Sequence, residues 1–212
     1  MTAMKHALDS PGRRKTGRPL SFDRDEALEQ AMLLFWAHGY EGTSLSDLTK
    51  ALGVTPPSIY TAFGDKKGLF LETVDRYLGG DPTASGVIDR APSAREGAFE
   101  LMRQAAIGFT GDKTPSGCLL ATSAISCSEA AGDVQRHLAN IRRGIQERLA
   151  GRIARAIKER ELPDDTNAPV LAAHVMAVIQ GMSTLARDGA TQEELLRIVD
   201  QAMRCWPAND TK

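Results

Sequence analysis

Residues 43–63 read TSLSDLTKALGVTPPSIYTAF. Ser44 can cap a helix, and Asp47 three positions on completes a capping-box pattern. Leu45, Leu48 and Leu52 recur at helical spacing, so this helix buries one side. Gly53 follows at once, where a left-handed C-terminal cap favours glycine. Val54 plugs the corner. Thr55 then caps a second helix, with Pro56 at its first position, where a missing N–H is harmless. Ile59 and Phe63 form the inward stripe of that second helix. Thr55, Ser58, Tyr60 and Thr61 face out.

The outward face carries no charge, only hydroxyls, prolines and a tyrosine. Hydroxyls bond phosphate oxygens or base edges, and small residues permit close approach to a groove. A helix-turn-helix over 44–63 needs these features: a first helix braced on the duplex backbone and a second entering the major groove. On local pattern alone an ordinary helical hairpin would also satisfy the spacing.

The surrounding order of parts resembles the TetR family of transcriptional regulators over residues 27–70, ALEQAMLLFWAHGYEGTSLSDLTKALGVTPPSIYTAFGDKKGLF. An amphipathic helix ends in LFWAHGY. The Thr-Ser pair follows, then the turn at LGV, the helix with Ser58-Ile59-Tyr60 and Phe63, and Asp65-Lys66-Lys67 opening the next helix. The resemblance covers about a quarter of the chain. It implies an all-α protein, with an N-terminal three-helix helix-turn-helix DNA-binding domain and a C-terminal helical ligand-binding and dimerisation domain. It also implies a sequence-specific regulator, a repressor released from a palindromic operator by a small-molecule inducer. The sequence does not separate repression from activation.

Composition agrees with an all-α reading. Ala, Leu, Arg, Glu and Gln dominate, and 42% of the 212 residues are hydrophobic, an ordinary proportion for a globular protein. The formal net charge is −1, so any nucleic-acid patch must be local. Residues 1–20 supply one, with Lys5, Arg13, Arg14, Lys15 and Arg18 against Asp9 alone. Pro11, Gly12, Gly17 and Pro19 read as a flexible basic arm. Arg18 between Gly17 and Pro19 suits a minor groove, read by width and potential; the same residues would also make a solvated tail.

Three cysteines, Cys118, Cys127 and Cys205, stand far apart without a CxxC, which favours a reducing compartment over a disulfide framework. The histidines are dispersed, so no metal site and no cofactor is expected. No apolar run approaches a membrane span, and no leader is apparent, so a soluble cytoplasmic protein without membrane association is expected.

The domains read as 21–81 for the DNA-binding unit and 82–206 for the ligand-binding and dimerisation unit, with a tail at 207–212. The break is Gly79-Gly80-Asp81-Pro82. Helices are expected over 23–38, 65–78, 93–109, 117–127, 131–161, 168–187 and 191–206. Arg142, Arg143, Arg148, Arg152 and Arg155 are expected on a solvated face of the 131–161 helix. The last two helices are apolar enough to require cover, which implies a homodimer built on them.

Site expectations follow. Thr43 and Ser44 contact phosphate at a helix start. Thr55, Pro56, Pro57, Ser58 and Thr61 lie against the groove, the prolines touching thymine methyls. Tyr60 holds phosphate; Lys66 matches a family position that does the same. Without Arg, Asn or Gln on the reading helix, specificity rests on DNA shape and Arg18. In the second domain Met102, Phe109, Cys118, His174 and Met182 are the candidate lining of an effector cavity. Cys118, after Pro115-Ser116-Gly117, sits at a helix start, where the dipole favours thiolate. It resembles TetR-family sensors of electrophiles and oxidants; a buried inert thiol is the alternative. A Cys118–His174 thiol enzyme requires the fold to bring the two together, and no nucleophile motif, phosphate loop or metal spacing supports catalysis.

Overall fold

The computed structural model describes residues 22–80 and 83–208. Among them there are ten α-helices and no strand. Arg18 and the rest of the basic arm lie outside the described residues, as do Asp81, Pro82 and the last four residues.

The first helix, α1 (Arg24–Gly42), is capped by Asp23, whose carboxylate accepts from the Asp25 and Glu26 amides. Its regular path breaks at Gly39, at φ 77° and ψ 169°, a region open essentially to glycine. Helices α2 (Leu45–Leu52) and α3 (Pro56–Phe63) follow, then α4 (Lys66–Leu78), capped by Asp65. Phe35 on α1, Leu48 on α2, Ile59 and Phe63 on α3, and Leu69 and Phe70 on α4 close one small core. Phe35 and Phe70 meet edge-on at 5.0 Å between centroids.

A short helix, α5 (Ala84–Arg90), which the sequence pattern did not reveal, leads to α6 (Ala94–Phe109), capped by Ser93. The expected helix over 117–127 shrinks to the single turn α7 (Leu119–Thr122). The long α8 (Gly132–Lys158) packs on α9 (Ala168–Arg187), and α10 (Gln192–Arg204) packs on α6 and α9. By length and composition α9 could cross a bilayer. Its Ala172, Val175, Met176, Met182 and Ala186 instead enter the core.

The arginine face of α8 is not uniformly solvated. Arg152 is buried, donating to the Pro92 carbonyl at 3.1 Å and facing Glu161 at 3.6 Å. Arg142 is half-buried and donates to the Leu120 carbonyl. Arg148 pairs with Asp89. A step of four residues alone could not tell which arginines the short α5 and α7 would cover.

Candidate nucleic-acid interface and effector cavity

The capping box forms as the sequence requires. Ser44 Oγ accepts from the Asp47 amide at 3.1 Å and donates to its carboxylate at 2.6 Å, while the Ser44 amide donates to the same carboxylate at 2.9 Å. Gly53 sits at φ 62°, ψ 28°, in the left-handed region, and its amide donates to the Thr49 carbonyl. The turn that aims α3 is therefore set by one glycine and one reciprocal cap.

Thr43 does not present its hydroxyl outward. It is 1% exposed, and Oγ1 donates to the Gly39 carbonyl at 2.8 Å. A phosphate at this corner meets Ser44 and the first amides of α2, which have no intrahelical acceptor. Thr55 occupies the cap position of α3 without capping it; its hydroxyl lies 2.9 Å from Ser58 Oγ. Thr61 Oγ1 donates back to the Pro57 carbonyl at 2.8 Å. Pro56, Pro57, Thr61 and Tyr60 are exposed, Tyr60 to 52%. Among the described residues the Tyr60 side chain makes no hydrogen bond and no aromatic or cation–π contact.

Arg24 fixes the far end of α3. Its guanidinium donates to the Ala62 carbonyl at 3.3 Å, pairs with Glu72 at 2.6 Å, and lies 4.6 Å from the Phe63 ring centroid. The two lysines opening α4 diverge. Lys66 stacks over Tyr40 at 4.4 Å, and partial burial draws its ammonium down from the ordinary lysine range. Lys67 turns the other way and pairs with Asp133 at the start of α8.

Beneath this unit lies a cavity of about 370 Å³, within the range of small-molecule sites. Trp36, Tyr77 and Phe109 give it aromatic walls, and Leu101, Ile145 and Met176 aliphatic ones. Of the expected lining residues, Phe109 and Cys118 border it. Met102 and Met182 are fully buried in the core beside it, and His174 is exposed on the outer side of α9. Trp36, Tyr77 and Arg142 escaped the sequence reading because their exposure to one space depends on where α7 crosses.

Cys118 is held between the two domains. Its amide donates to Ser183 Oγ at 2.8 Å, and its sulfur lies 3.3 Å from the Tyr77 hydroxyl. Burial pushes the thiol up from the ordinary range, against the smaller lowering from Tyr77 and the α7 amides. The thiolate expected at a helix start is thus outweighed by desolvation, and α7 is a single turn. No hydrogen bond joins Cys118 to His174, so the thiol–imidazole pair is not assembled.

The cavity and the α3 unit are mechanically joined through the last turn of α1. Arg187, ending α9, donates to the Trp36 and Ala37 carbonyls at 3.1 and 2.9 Å. Trp36 Nε1 donates to the Gly117 carbonyl at 3.1 Å. The Glu41 carboxylate accepts from Ser128 Oγ at 2.6 Å.

Residues 27–73 match the family model described as bacterial regulatory proteins, tetR family, and residues 99–202 match the tetracyclin repressor-like C-terminal domain. The HTH-type transcriptional repressor ComR of Escherichia coli (strain K12) is 37% identical over 204 residues, covering 92% of this chain and 94% of that protein. The repressor BdcR of the same strain is 29% identical, covering 86% and 88% respectively. A cysteine mutant of the TetR family transcriptional regulator CifR, complexed with 26bp double-strand operator DNA, is 42% identical. That structure superposes with a TM-score of 0.85, covering 90% of this chain and 100% of its own.

Proposed function

The chain belongs to the TetR family of bacterial regulatory proteins, and we propose that it is a homodimeric, operator-binding repressor released by a small molecule. The observation that carries this reading is the pairing of two features in one short chain. One is a capped α2–Gly53–α3 unit whose α3 presents an uncharged, exposed outer face. The other is an apolar cavity directly behind α1.

In this reading α3 lies in the major groove. Pro56, Pro57, Ser58 and Thr61 approach base edges, Ser44 and Tyr60 hold phosphates on either side, and Arg18 reaches the adjacent minor groove. The hydroxyls of Thr55, Ser58 and Thr61 bond within the helix, so base contacts from this face are few and DNA shape carries much of the specificity. Lys66 slides off Tyr40 to meet phosphate, or acts from where it stands. Two copies joined through α9 and α10 match a palindromic operator.

Release is a population shift. An occupant of the cavity moves α7, whose neighbours Gly117 and Ser123 hold the last turns of α1. That motion re-aims α3 relative to its twin, and a dimer with wrongly spaced reading helices leaves the DNA. The protein acts in the bacterial cytoplasm, where the operator is.

Selection of bound sequences from random duplex DNA tests the first half. A palindromic consensus with salt-dependent affinity is expected. Equal affinity for all duplexes at moderate salt would overturn it. A small-molecule screen for release from that consensus tests the second half.

A further inference from the structure

Among the described residues the cavity behind α1 has one charged wall residue: Arg142 borders it, and no described Asp or Glu does. Tyr77 and Cys118, the other ionisable groups at the wall, are both pushed up by burial and stay neutral. Arg142 donates from Nη1 to the Leu120 carbonyl, and among the described residues no carboxylate pairs with it. A half-buried guanidinium with five donors and one neutral acceptor is under-matched. The remaining wall is aromatic and aliphatic, with Gln104 and Gln180 at its edge. Both amides turn their N–H inward to the chain, to Glu100 at 2.6 Å and to the Met176 carbonyl at 3.3 Å.

Resting on the reading of this cavity as the effector site, we propose that the effector is an apolar monocarboxylate whose carboxylate docks on Arg142. A planar carboxylate matches the guanidinium fork, and a single cation matches a single negative charge. A phosphate monoester would bring a second charge with no partner in the wall. The body of the acid packs among Trp36, Tyr77 and Phe109. The same contact gives a route to release. The guanidinium edge now on the Leu120 carbonyl is drawn to the carboxylate, which frees the α7 turn that holds α1.

The test uses the full-length dimer and three acid–amide pairs: benzoate and benzamide, 3-phenylpropionate and its amide, octanoate and octanamide. Binding is read by calorimetry and by tryptophan fluorescence, and release by operator titration. At least one acid should bind ten-fold or more tightly than its amide and lower operator affinity. Arg142→Gln should bring that ratio to about one while the amide's affinity persists; having also lost the bond to the Leu120 carbonyl, it should bind operator more weakly than the native protein even without effector. Arg142→Lys should keep most of the preference, which guards against a folding artefact in the glutamine variant. Amides that bind as well as acids would overturn the carboxylate while leaving the cavity as effector site. Acid preference that survives Arg142→Gln would overturn it too. Failure of all three acids to bind would overturn this proposal, while the effector reading of the cavity stands or falls on the release screen.

Discussion

The Tyr40 amide donates to the Ser123 carbonyl at 2.7 Å, one residue past the Gly39 break in α1. This backbone bond ties the DNA-binding unit to the second domain at a place where the chain must carry a positive φ. A Cβ built on Gly39 would stand 3.2 Å from the Ser123 oxygen. Gly39→Ala therefore meets both backbone strain and a crowded neighbour, together roughly 1–3 kcal/mol. Thermal unfolding should fall by several degrees at this chain length, about 2–4 °C per kcal/mol. A melting temperature equal to the native one would show that the bond does not hold the two units together.

Tyr60 and Ser58 separate affinity from preference. Tyr60 is exposed with no partner of its own, so Tyr60→Phe should leave folding untouched. Loss of a phosphate hydrogen bond should weaken every duplex by roughly 1 kcal/mol, about five- to ten-fold. Ser58→Ala frees Thr55 from its 2.9 Å contact and changes the surface offered to bases. Its effect should depend on sequence. Parallel binding curves on the selected operator and on scrambled DNA distinguish the two; an unchanged Tyr60→Phe curve would remove Tyr60 from the interface.

Helix identity and the turn were legible because each rests on local chemistry. Ser44, Asp47, Gly53 and Pro56 act within four residues of themselves. The start of α4 at Asp65 was readable for the same reason. Side-chain destinations set by distant crossings were not. Thr43 faces Gly39 and Arg24 reaches Ala62, 38 residues away, neither signalled by any neighbour in sequence. The cavity was half legible: Phe109 and Cys118 sit where α6 ends and α7 begins. His174 was misplaced because α9 is apolar nearly all round, so its outer and inner faces look alike. Arg142 was placed in solvent because α7, one turn long, gives almost no periodic signal.

Acid should loosen the joint between the domains. Lys67 and the Val134 amide hold the Asp133 carboxylate below the usual range, and Ser128 does the same for Glu41. Both folded pKa values lie below their unfolded ones. Their stabilising contribution is present above the unfolded values and is lost as pH falls through the folded ones. Glu41 is exposed and Asp133 only partly buried, so the effect on global stability is small. Protection factors of the amides around Tyr40 and Val134, with the intrinsic pH dependence of exchange divided out, should fall below about pH 4. Asp133→Asn should flatten that dependence at Val134; a profile identical to the native one would show that the Lys67 pair does not govern the joint.

The outer side of α9 predicts the subunit contact. Val170, His174, Ala177, Gly181 and Leu185 are exposed at steps of three and four, Val170 to 62% and Leu185 to 42%. A Cβ on Gly181 would meet nothing within 4 Å in its own chain, so the protomer does not require glycine there. Small residues at 177 and 181 instead leave room for another helix to approach closely. Gly181→Arg should be neutral or slightly favourable for the isolated helix, since arginine has the better helical propensity. Against a second copy it places a long cation in an apolar seam. Sedimentation should then show monomers at micromolar concentration with full helicity. Operator affinity should fall by at least about 100-fold, because each reading unit loses its tethered twin. Gly144→Arg on α8 is the matched control: it too is exposed with open space at Cβ, and the protein should stay dimeric and bound. If Gly181→Arg stays dimeric like the control, the two copies meet on some other face.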